Sequence, residues 1–176
     1  MANKTALREL QQRLAERMQA ARETTLIANW LAVECAGAGI LFSLKQASEI
    51  FAPVPIKSVP YGKPWLAGVA NLRGGLFTVV DLATYLGLRD VAPSRINSPQ
   101  ARLVSLSSEM NLNCALLVDR LAGLRGDDQL PLAAQQPTGP VPRFAGALRR
   151  DESGRLWQEI NLEALSRQDD FLHIVR

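Results

Sequence analysis

One pattern occurs twice in this sequence: a glycine, a turn, an apolar run whose second residue is aromatic, and an Asx residue before a short helix. The first copy spans residues 68–82 and the second spans residues 146–162. Asp81 and Asn161 stand at the ends of the two runs, where their side chains can accept a hydrogen bond from the first helical turn. A shared order of features over this length predicts an internal repeat and therefore two similar β-rich lobes.

Short apolar runs separated by glycine, proline and asparagine make up most of the chain, which is typical of a mainly β protein. Pairs of such runs flank a turn at residues 30–44 and again at residues 102–118, as in β-hairpins. A connector rich in proline and serine lies between them at residues 89–100. We expect one lobe over roughly residues 26–95 and the other over roughly residues 96–176, with an exchange of strands between the lobes left open.

The first 25 residues follow a different periodicity, because their apolar residues recur at steps of three and four. This spacing predicts an amphipathic α-helix over residues 1–25, followed by one domain over residues 26–176. An isolated helix with so short an apolar face is only marginally stable in water, and the helix must therefore dock on another surface. We expect it to pack on its own domain, and a partner-binding arm is the alternative. The apolar face consists of Leu7, Leu10, Leu14, Met18 and Ala21.

The composition excludes several kinds of function. The chain of 176 residues has one histidine, His173, so histidine-based triads and zinc sites are not expected. Its two cysteines are too few for a disulfide framework and are expected to be buried apolar residues. The N-terminus is polar and no uninterrupted apolar stretch reaches about 20 residues, which predicts a cytoplasmic chain without membrane insertion.

The stretch Trp65–Gly74 is the most distinctive part of the sequence. It lacks the Lys-Ser/Thr pair of a phosphate-binding loop, so a nucleotide site is not expected here. Asn71 can bond to its local backbone, and the guanidinium of Arg73 offers five donors in a fixed plane. Two interpretations follow: a hairpin turn locked by an internal hydrogen bond of the arginine, or an arginine presented at an interface.

This stretch also carries a resemblance to a known family. Gly68 is followed by Asn71-Leu72-Arg73-Gly74 and then by Val79-Val80-Asp81-Leu82. That block resembles the CheW-like coupling domains of bacterial chemosensory systems. An apolar strand and turn over residues 40–50 and a valine-aspartate strand over residues 116–121 are similar to the family as well.

The resemblance implies a mainly β fold of two SH3-like, five-stranded β-barrel lobes with short helices, to which this chain adds its N-terminal amphipathic helix. It implies an adaptor without catalysis or cofactor that links the cytoplasmic tip of a chemoreceptor to the regulatory domain of a CheA-type histidine kinase. The extra helix and the proline-rich connectors are more similar to the PilI branch, which serves the system controlling type IV pili and twitching motility. A cytoplasmic location with receptor arrays, for example at a cell pole, would follow.

Functional residues are carried over from the family by motif position only. Glu49 and Arg73 would be the polar residues of the interface on the receptor side. The small residues Ala47, Gly68 and Gly74 would shape the surface of the first lobe. The apolar residues Val118 and Leu121 would line the groove between the lobes or the core beneath it. The structural motif would be Asn71, Leu72, Asp81 and Asn161. Two positions depart from the family pattern, because Thr78 replaces the usual proline and Asn161 the usual aspartate, and neither change removes a strand or a cap.

Three other functions have to be weighed. A flagellar coupling protein shares the family pattern and differs in the motility that it controls. A small β-barrel that binds nucleic acid would need exposed aromatic residues in a basic groove, yet Trp30, Trp65 and Trp157 stand in core-like runs and the net charge is only +3. An enzyme would need buried carboxylates, whereas Glu34 and Glu159 are expected on the solvent side of their strands.

Overall fold

The computed structural model describes residues 28–90 and 98–175. The helix predicted over residues 1–25 lies outside the described residues, so that helix and the domain bounds stay predictions. The described chain forms ten strands and three short α-helices, which confirms the mainly β fold. The strands are β1 (Ala28–Cys35), β2 (Ala38–Ser43), β3 (Ala47–Phe51), β4 (Leu66–Leu72), β5 (Gly75–Asp81), β6 (Arg102–Leu106), β7 (Cys114–Val118), β8 (Arg120–Gly126), β9 (Ala145–Arg150) and β10 (Leu156–Ile160). The α-helices are α1 (Leu82–Tyr85), α2 (Leu162–Ser166) and α3 (Asp169–Leu172).

The strands form two five-stranded sheets. Sheet A has the order β8-β1-β2-β10-β9, and sheet B has the order β3-β6-β7-β5-β4. Both predicted hairpins form: β1 pairs antiparallel with β2 in sheet A, and β6 pairs antiparallel with β7 in sheet B. Each sheet therefore combines strands from both sides of the connector.

The two copies of the repeat occupy equivalent positions in the two sheets. β5 pairs antiparallel with β4 and parallel with β7, while β10 pairs antiparallel with β9 and parallel with β2. Asp81 Oδ1 accepts a hydrogen bond from the Thr84 backbone N–H at 3.3 Å, and Asn161 Oδ1 accepts one from the Ala164 backbone N–H at 2.9 Å. The predicted order of strand, cap and short helix is confirmed in both copies.

The main core lies between the two sheets. Side chains of both sheets share one cluster, in which Val33 and Phe42 of sheet A and Val80 and Leu116 of sheet B are at most 1 % exposed. Successive residues of a strand point to opposite faces. The residues that alternate with those of the main core therefore form a further apolar cluster on the other side of each sheet. Both faces of the central strands are buried, which is why these strands are continuous apolar runs in the sequence.

Two glutamates of sheet A contradict the sequence analysis, which placed them on the solvent side of their strands. The Glu34 side chain is 11 % exposed and binds Arg155 and Arg120, whose Nη2 lies 2.8 Å from Oε1. The side chain of Glu159 is 16 % exposed and pairs with Arg149. The hydrogen bond from Arg120 lowers the pKa of Glu34, against the opposing effect of burial. The expectation was wrong because arginine and tryptophan side chains cover this face of sheet A.

Asp151 in the turn between β9 and β10 makes an acid-sensitive contact. It accepts hydrogen bonds from Ser153 Oγ at 2.6 Å and from the indole Nε1 of Trp157 at 2.9 Å, which lower its pKa to about 2. A carboxyl group whose pKa is lower in the folded state stabilises the fold above its unfolded pKa of about 4. That contribution is lost as the pH falls from about 4 toward 2.

The variant Asp151→Asn is expected to lower the melting temperature at neutral pH by about 3 °C, or roughly 1 kcal/mol in a chain of this size. The difference from the wild type should shrink as the pH falls from about 4 to 2, because the wild-type side chain also becomes neutral. Thermal unfolding followed by circular dichroism measures both. Glu152→Gln, at the exposed neighbouring position, is the control, and a difference that persists at pH 2 would contradict the prediction.

Candidate functional site

The hairpin between β4 and β5 has a two-residue turn made by Arg73 and Gly74. Both residues have positive φ, +49° and +84°, as the tight hairpin turn with matching twist requires. The side chain of Asn71 locks this turn, since its Oδ1 accepts a hydrogen bond from the Gly74 backbone N–H at 2.9 Å. The interpretation in which the arginine locks the turn is therefore wrong: the Arg73 side chain is 76 % exposed.

An exposed ion pair joins the two edge strands of sheet B. Arg73 Nη1, in the turn after β4, lies 3.0 Å from Oε2 of Glu49 on β3, and its guanidinium lies 6.0 Å from the ring centre of Phe51. β3 and β4 are at opposite ends of the strand order, so the sheet curls until its edges approach. The structure thus brings together the two polar residues that the family resemblance singled out. An ion pair this exposed contributes about 0–1 kcal/mol to stability, so its groups can be re-paired at small cost.

A serine that the sequence analysis missed holds Glu49 in place. Ser105 Oγ on β6 accepts from the Glu49 backbone N–H at 3.0 Å and donates to its carbonyl oxygen at 3.3 Å. These bonds lie where the pairing of β3 with β6 is irregular, between Ala47 and Ile50. Ala47 is half-buried opposite Leu106. A buried serine in an apolar run is a weak signal, and only the pairing of the strands shows its role.

Gly68 has a structural role on β4, an edge strand of sheet B. Its φ is +140°, and a Cβ at this position would lie 2.1 Å from the Lys57 carbonyl oxygen. The close approach lets Lys57 exchange two backbone hydrogen bonds of 2.8 Å with Val69, which covers the edge of β4. By contrast, nothing lies within 4 Å of a Cβ added at Gly74. The first glycine is needed for space and the second for its backbone conformation.

The apolar candidates of the second half belong to the shared core. Val118 is 1 % exposed within the cluster between the sheets. Leu121 on β8 pairs with Val33 and is half-buried against the same cluster. Leu72 of the structural motif is also buried, in the separate cluster of sheet B. Of the apolar candidates, Leu121 is therefore the one with surface available to a partner.

A buried arginine clamp was also missed by the sequence analysis, which placed Arg89 in the connector. Arg89 Nη2 donates to both carboxylate oxygens of Asp81, at 2.8 and 2.9 Å, and Nη1 donates to Asp119 Oδ1 at 2.6 Å. Asp119 Oδ2 accepts in turn from the Ala36 backbone N–H at 2.7 Å. The clamp thus ties the end of β5 in sheet B to the β1–β2 turn of sheet A.

The charge of Arg89 is held firmly within this clamp. Its side chain is only 10 % exposed. Burial by itself lowers the pKa of the guanidinium, but hydrogen bonds to Asp119 and Asp81 outweigh it, and the net pKa is raised. No sequence signal marks this residue, since its partners lie 8 and 30 positions away.

Arginines on the outer side of sheet A are engaged within the protein. Arg149 lies 4.9 Å from the ring centre of Trp30 and pairs with Glu159, and Arg155 lies 4.7 Å from that of Trp157. Trp157 is 2 % exposed and Trp65 9 %, which confirms these two as core residues. A nucleic-acid groove requires free aromatic faces and free cations, and these residues supply neither.

Within residues 28–90 and 98–175, no three His, Cys, Asp or Glu side chains gather as a metal site. No helix in these ranges has the length and apolar character needed to cross a membrane. Cys35 and Cys114 are buried and unbonded to each other, which confirms the expectation for them. Burial raises the pKa of each thiol to about 12.

Comparison with known proteins gives matches over most of the chain. Protein PilI of Pseudomonas aeruginosa is 25 % identical over 170 residues, which cover 92 % of this chain and 88 % of that protein. The crystal structure of the scaffolding protein TtCheW from Thermoanaerobacter tengcongensis superposes with a TM-score of 0.60 at 16 % identity. The superposition covers 76 % of this chain and 88 % of TtCheW, and it shows the fold alone.

The match to a protein family identifies the chain more firmly than its similarity to PilI or to TtCheW. The CheW-like domain matches residues 29–170, a range that contains all of both sheets except Ala28, together with the Glu49–Arg73 pair and the Arg89 clamp. The match spans well over half of the sequence. The chain therefore belongs to the CheW-like domain family.

Proposed function

We propose that this chain is a non-catalytic adaptor that couples a chemoreceptor to a CheA-type histidine kinase. The observation that carries the proposal is the CheW-like match over residues 29–170. One surface would bind the cytoplasmic tip of the receptor and another the regulatory domain of the kinase. The adaptor would transmit a conformational change and leave phosphoryl transfer to the kinase.

The Glu49–Arg73 pair supports a contact with the receptor at these two residues. Both side chains are exposed and opposite in charge, so a partner with its own charged residues can exchange ion pairs with them at small net cost. The guanidinium plane suits bidentate contact with a carboxylate. The turn that presents Arg73 is locked by Asn71, so binding need not order this loop first.

The surface around that pair offers a second contact, which we assign to the kinase. Ile50 on the edge strand β3 is 43 % exposed, and space is open above Gly74. An exposed isoleucine on an edge strand gives a partner an apolar side chain to pack against. Ala47 and Gly68 would shape this surface from below. Leu121 would supply an apolar contact for a partner in the groove between the lobes.

The system that the adaptor serves is proposed to be that of type IV pili and twitching motility. A relative whose alignment covers 92 % of this chain is named PilI. That similarity favours the type IV pilus branch over the alternative of a flagellar coupling protein. Association with receptor arrays would place the protein at the inner side of the membrane without inserting into it.

The variant Arg73→Glu is expected to weaken binding to the receptor tip at least about tenfold, because it places two like charges opposite each other and removes the guanidinium. Its melting temperature should stay within about 3 °C of the wild type, since an exposed pair adds little stability. Binding is measured by titration with the purified receptor tip and, separately, with the kinase regulatory domain. In cells, the variant should impair twitching and leave swimming unchanged.

The matched control is Arg167→Glu. Arg167 directly follows α2, is 75 % exposed and pairs with Glu163 in that helix. This variant therefore makes the same charge change as Arg73→Glu, at a similarly exposed position on a different surface. The double variant Glu49→Arg with Arg73→Glu restores the internal pair and should still bind poorly if the receptor contacts these groups directly. Wild-type affinity of folded Arg73→Glu for both partners would refute the assignment, and loss of swimming alone would assign the protein to flagellar signalling.

A further inference from the structure

Strand β8 forms an edge of sheet A that the described part of the chain leaves uncovered. At the other edge of this sheet, β9 is covered by the segment around Ala133, whose N–H donates to the Leu148 carbonyl at 2.8 Å. In sheet B, Lys57 covers β4, and β3 approaches the turn after β4. Among the described residues, β8 pairs with β1 only. Soluble proteins protect open sheet edges, and covering the edge with a helix or a loop is one of the ways they do so.

Two leucines of β8 point toward the space between the sheets and keep part of their surface exposed. Leu124 pairs with Leu31 on β1, and Leu121 pairs with Val33. Leu31 and Val33 belong to the main core, and residues directly opposite each other in neighbouring strands lie on the same face of the sheet. Leu124 is nevertheless 56 % exposed, and Leu121 is half-buried. The edge strand thus carries apolar surface of the core side out to solvent.

A third leucine lies on the other side of β1. The Leu44 N–H donates to the Asn29 carbonyl at 3.0 Å, which continues the pairing of β1 with β2 by one residue. Leu44 therefore lies on the same face as Phe42 of the main core, two positions before it, and it is 36 % exposed. We call Leu44, Leu121 and Leu124 the leucine strip.

The N-terminal segment joins sheet A beside this strip. β1 begins at Ala28 and lies between β2 and β8, the strands that carry the strip. The helix predicted over residues 1–25 lies outside the described residues. Seven residues separate Ala21, the last of its apolar positions, from Ala28, so they span at most about 25 Å. A tether this short gives the segment an effective concentration in roughly the millimolar range at nearby surfaces, so a modest contact is enough for docking.

We propose that the leucine strip is the docking site of the N-terminal amphipathic helix, which covers the open edge at β8. The helix has an apolar face that must be buried, and the strip is an exposed apolar surface within its reach. As a helix, the apolar positions from residue 7 to residue 21 extend over about 21 Å, which is long enough to cross the β2, β1 and β8 strands at their spacing of about 4.8 Å.

Docking there would also regulate access to the groove between the lobes. Leu121 belongs to the strip and is the apolar candidate with surface available to a partner. A receptor that binds at Leu121 would therefore have to displace the helix, and its apparent affinity would be lowered by the fraction of the chain in which the helix is docked. The docking itself does not depend on the proposed function, whereas this competition rests on it.

Limited trypsin digestion of the full chain tests the docking. Cleavage at the four arginines of the segment is followed by mass spectrometry, since a docked helix is cut only when it opens. The variant Leu124→Asp should be cut at least about fivefold faster there than the wild type. The control Leu132→Asp changes a leucine that is 63 % exposed and bridged to Arg149 at the opposite edge of the sheet, and it should match the wild type. The four cleavage sites are Arg8, Arg13, Arg17 and Arg22.

Equal cleavage rates for the wild type and both variants would overturn the proposal. If Leu124→Asp does not fold, as judged by circular dichroism, Leu44→Asp replaces it with the same expectation. Faster cleavage in Leu132→Asp than in the strip variant would place the helix at the other edge of the sheet and would also overturn the proposal.

Cross-linking tests the position of the helix without disturbing the charge of the strip. The pair Leu14→Cys with Leu124→Cys is treated with a short bifunctional thiol reagent, and the pair Leu14→Cys with Leu132→Cys is the control. The natural cysteines Cys35 and Cys114 are buried, so they should contribute little. The first pair should cross-link at least about tenfold faster, because docking holds its thiols close together. Equal rates for the two pairs would reject the leucine strip as the site.

The competition is tested with variants of the helix, which leave the strip intact. Leu10→Asp with Leu14→Asp should release the helix and raise the affinity for the purified receptor tip at least about threefold. Gln12→Asp with Gln19→Asp makes the same charge change on the polar face and should bind like the wild type. Unchanged affinity in the first variant would refute the competition. Absence of receptor binding by all three proteins would refute the proposed function, while the digestion and the cross-linking, which need no receptor, still decide the docking.

Discussion

Replacing Arg89 with alanine is expected to lower the free energy of unfolding by about 3–5 kcal/mol. The guanidinium pairs with Asp81 and Asp119, whose side chains are 11 % and 22 % exposed. Without it, two carboxylates remain in a largely buried site and lose the guanidinium that offsets part of the cost of their desolvation. The change also removes the link between the end of β5 and the β1–β2 turn.

Urea denaturation followed by circular dichroism measures the loss. Arg73→Ala is the matched control, because it also removes an arginine from an ion pair but from an exposed one, and it should cost at most about 1 kcal/mol. A triple variant, Arg89→Met with Asp81→Asn and Asp119→Asn, should recover part of the stability, since it removes the three charges of the clamp together. A loss of under about 1 kcal/mol for Arg89→Ala would show that the clamp is not the link inferred from its geometry.

Replacing Gly68 with alanine is expected to destabilise the fold by about 3 kcal/mol or more. A φ of +140° is strained for any residue with a Cβ, at a cost of about 1–3 kcal/mol. The added methyl would also meet the Lys57 carbonyl at 2.1 Å. The backbone must move apart there, which breaks two hydrogen bonds with Val69 worth about 0.5–1.5 kcal/mol each.

Gly74→Ala separates backbone strain from steric contact. Gly74 also has a positive φ, but open space surrounds its added Cβ. It should therefore cost about 1 kcal/mol, as measured by urea denaturation beside Gly68→Ala. Equal losses for the two variants would mean that the contact with Lys57 contributes nothing.

The candidate site was only partly accessible from the sequence. The family resemblance pointed to Glu49 and Arg73, and Asn71 was expected to bond to its local backbone, as it does. The resemblance could not show that the two charged residues meet across the edges of sheet B. The roles of Arg89 and Ser105 could not be predicted from the sequence, because their hydrogen-bond partners lie 8 to 56 positions away.

The sequence by itself determined the local structure of this protein: the hairpins, the Asp81 and Asn161 caps and the mainly β class. These features depend on bonds and side-chain alternation within a few residues, so they can be recognised in one segment at a time. Only the tertiary structure decided that β2 pairs with β10 and β5 with β7. It also decided that Glu34 lies buried beneath arginines 86 and 121 positions away. Such contacts depend on which segments meet in space, and no single segment carries that information.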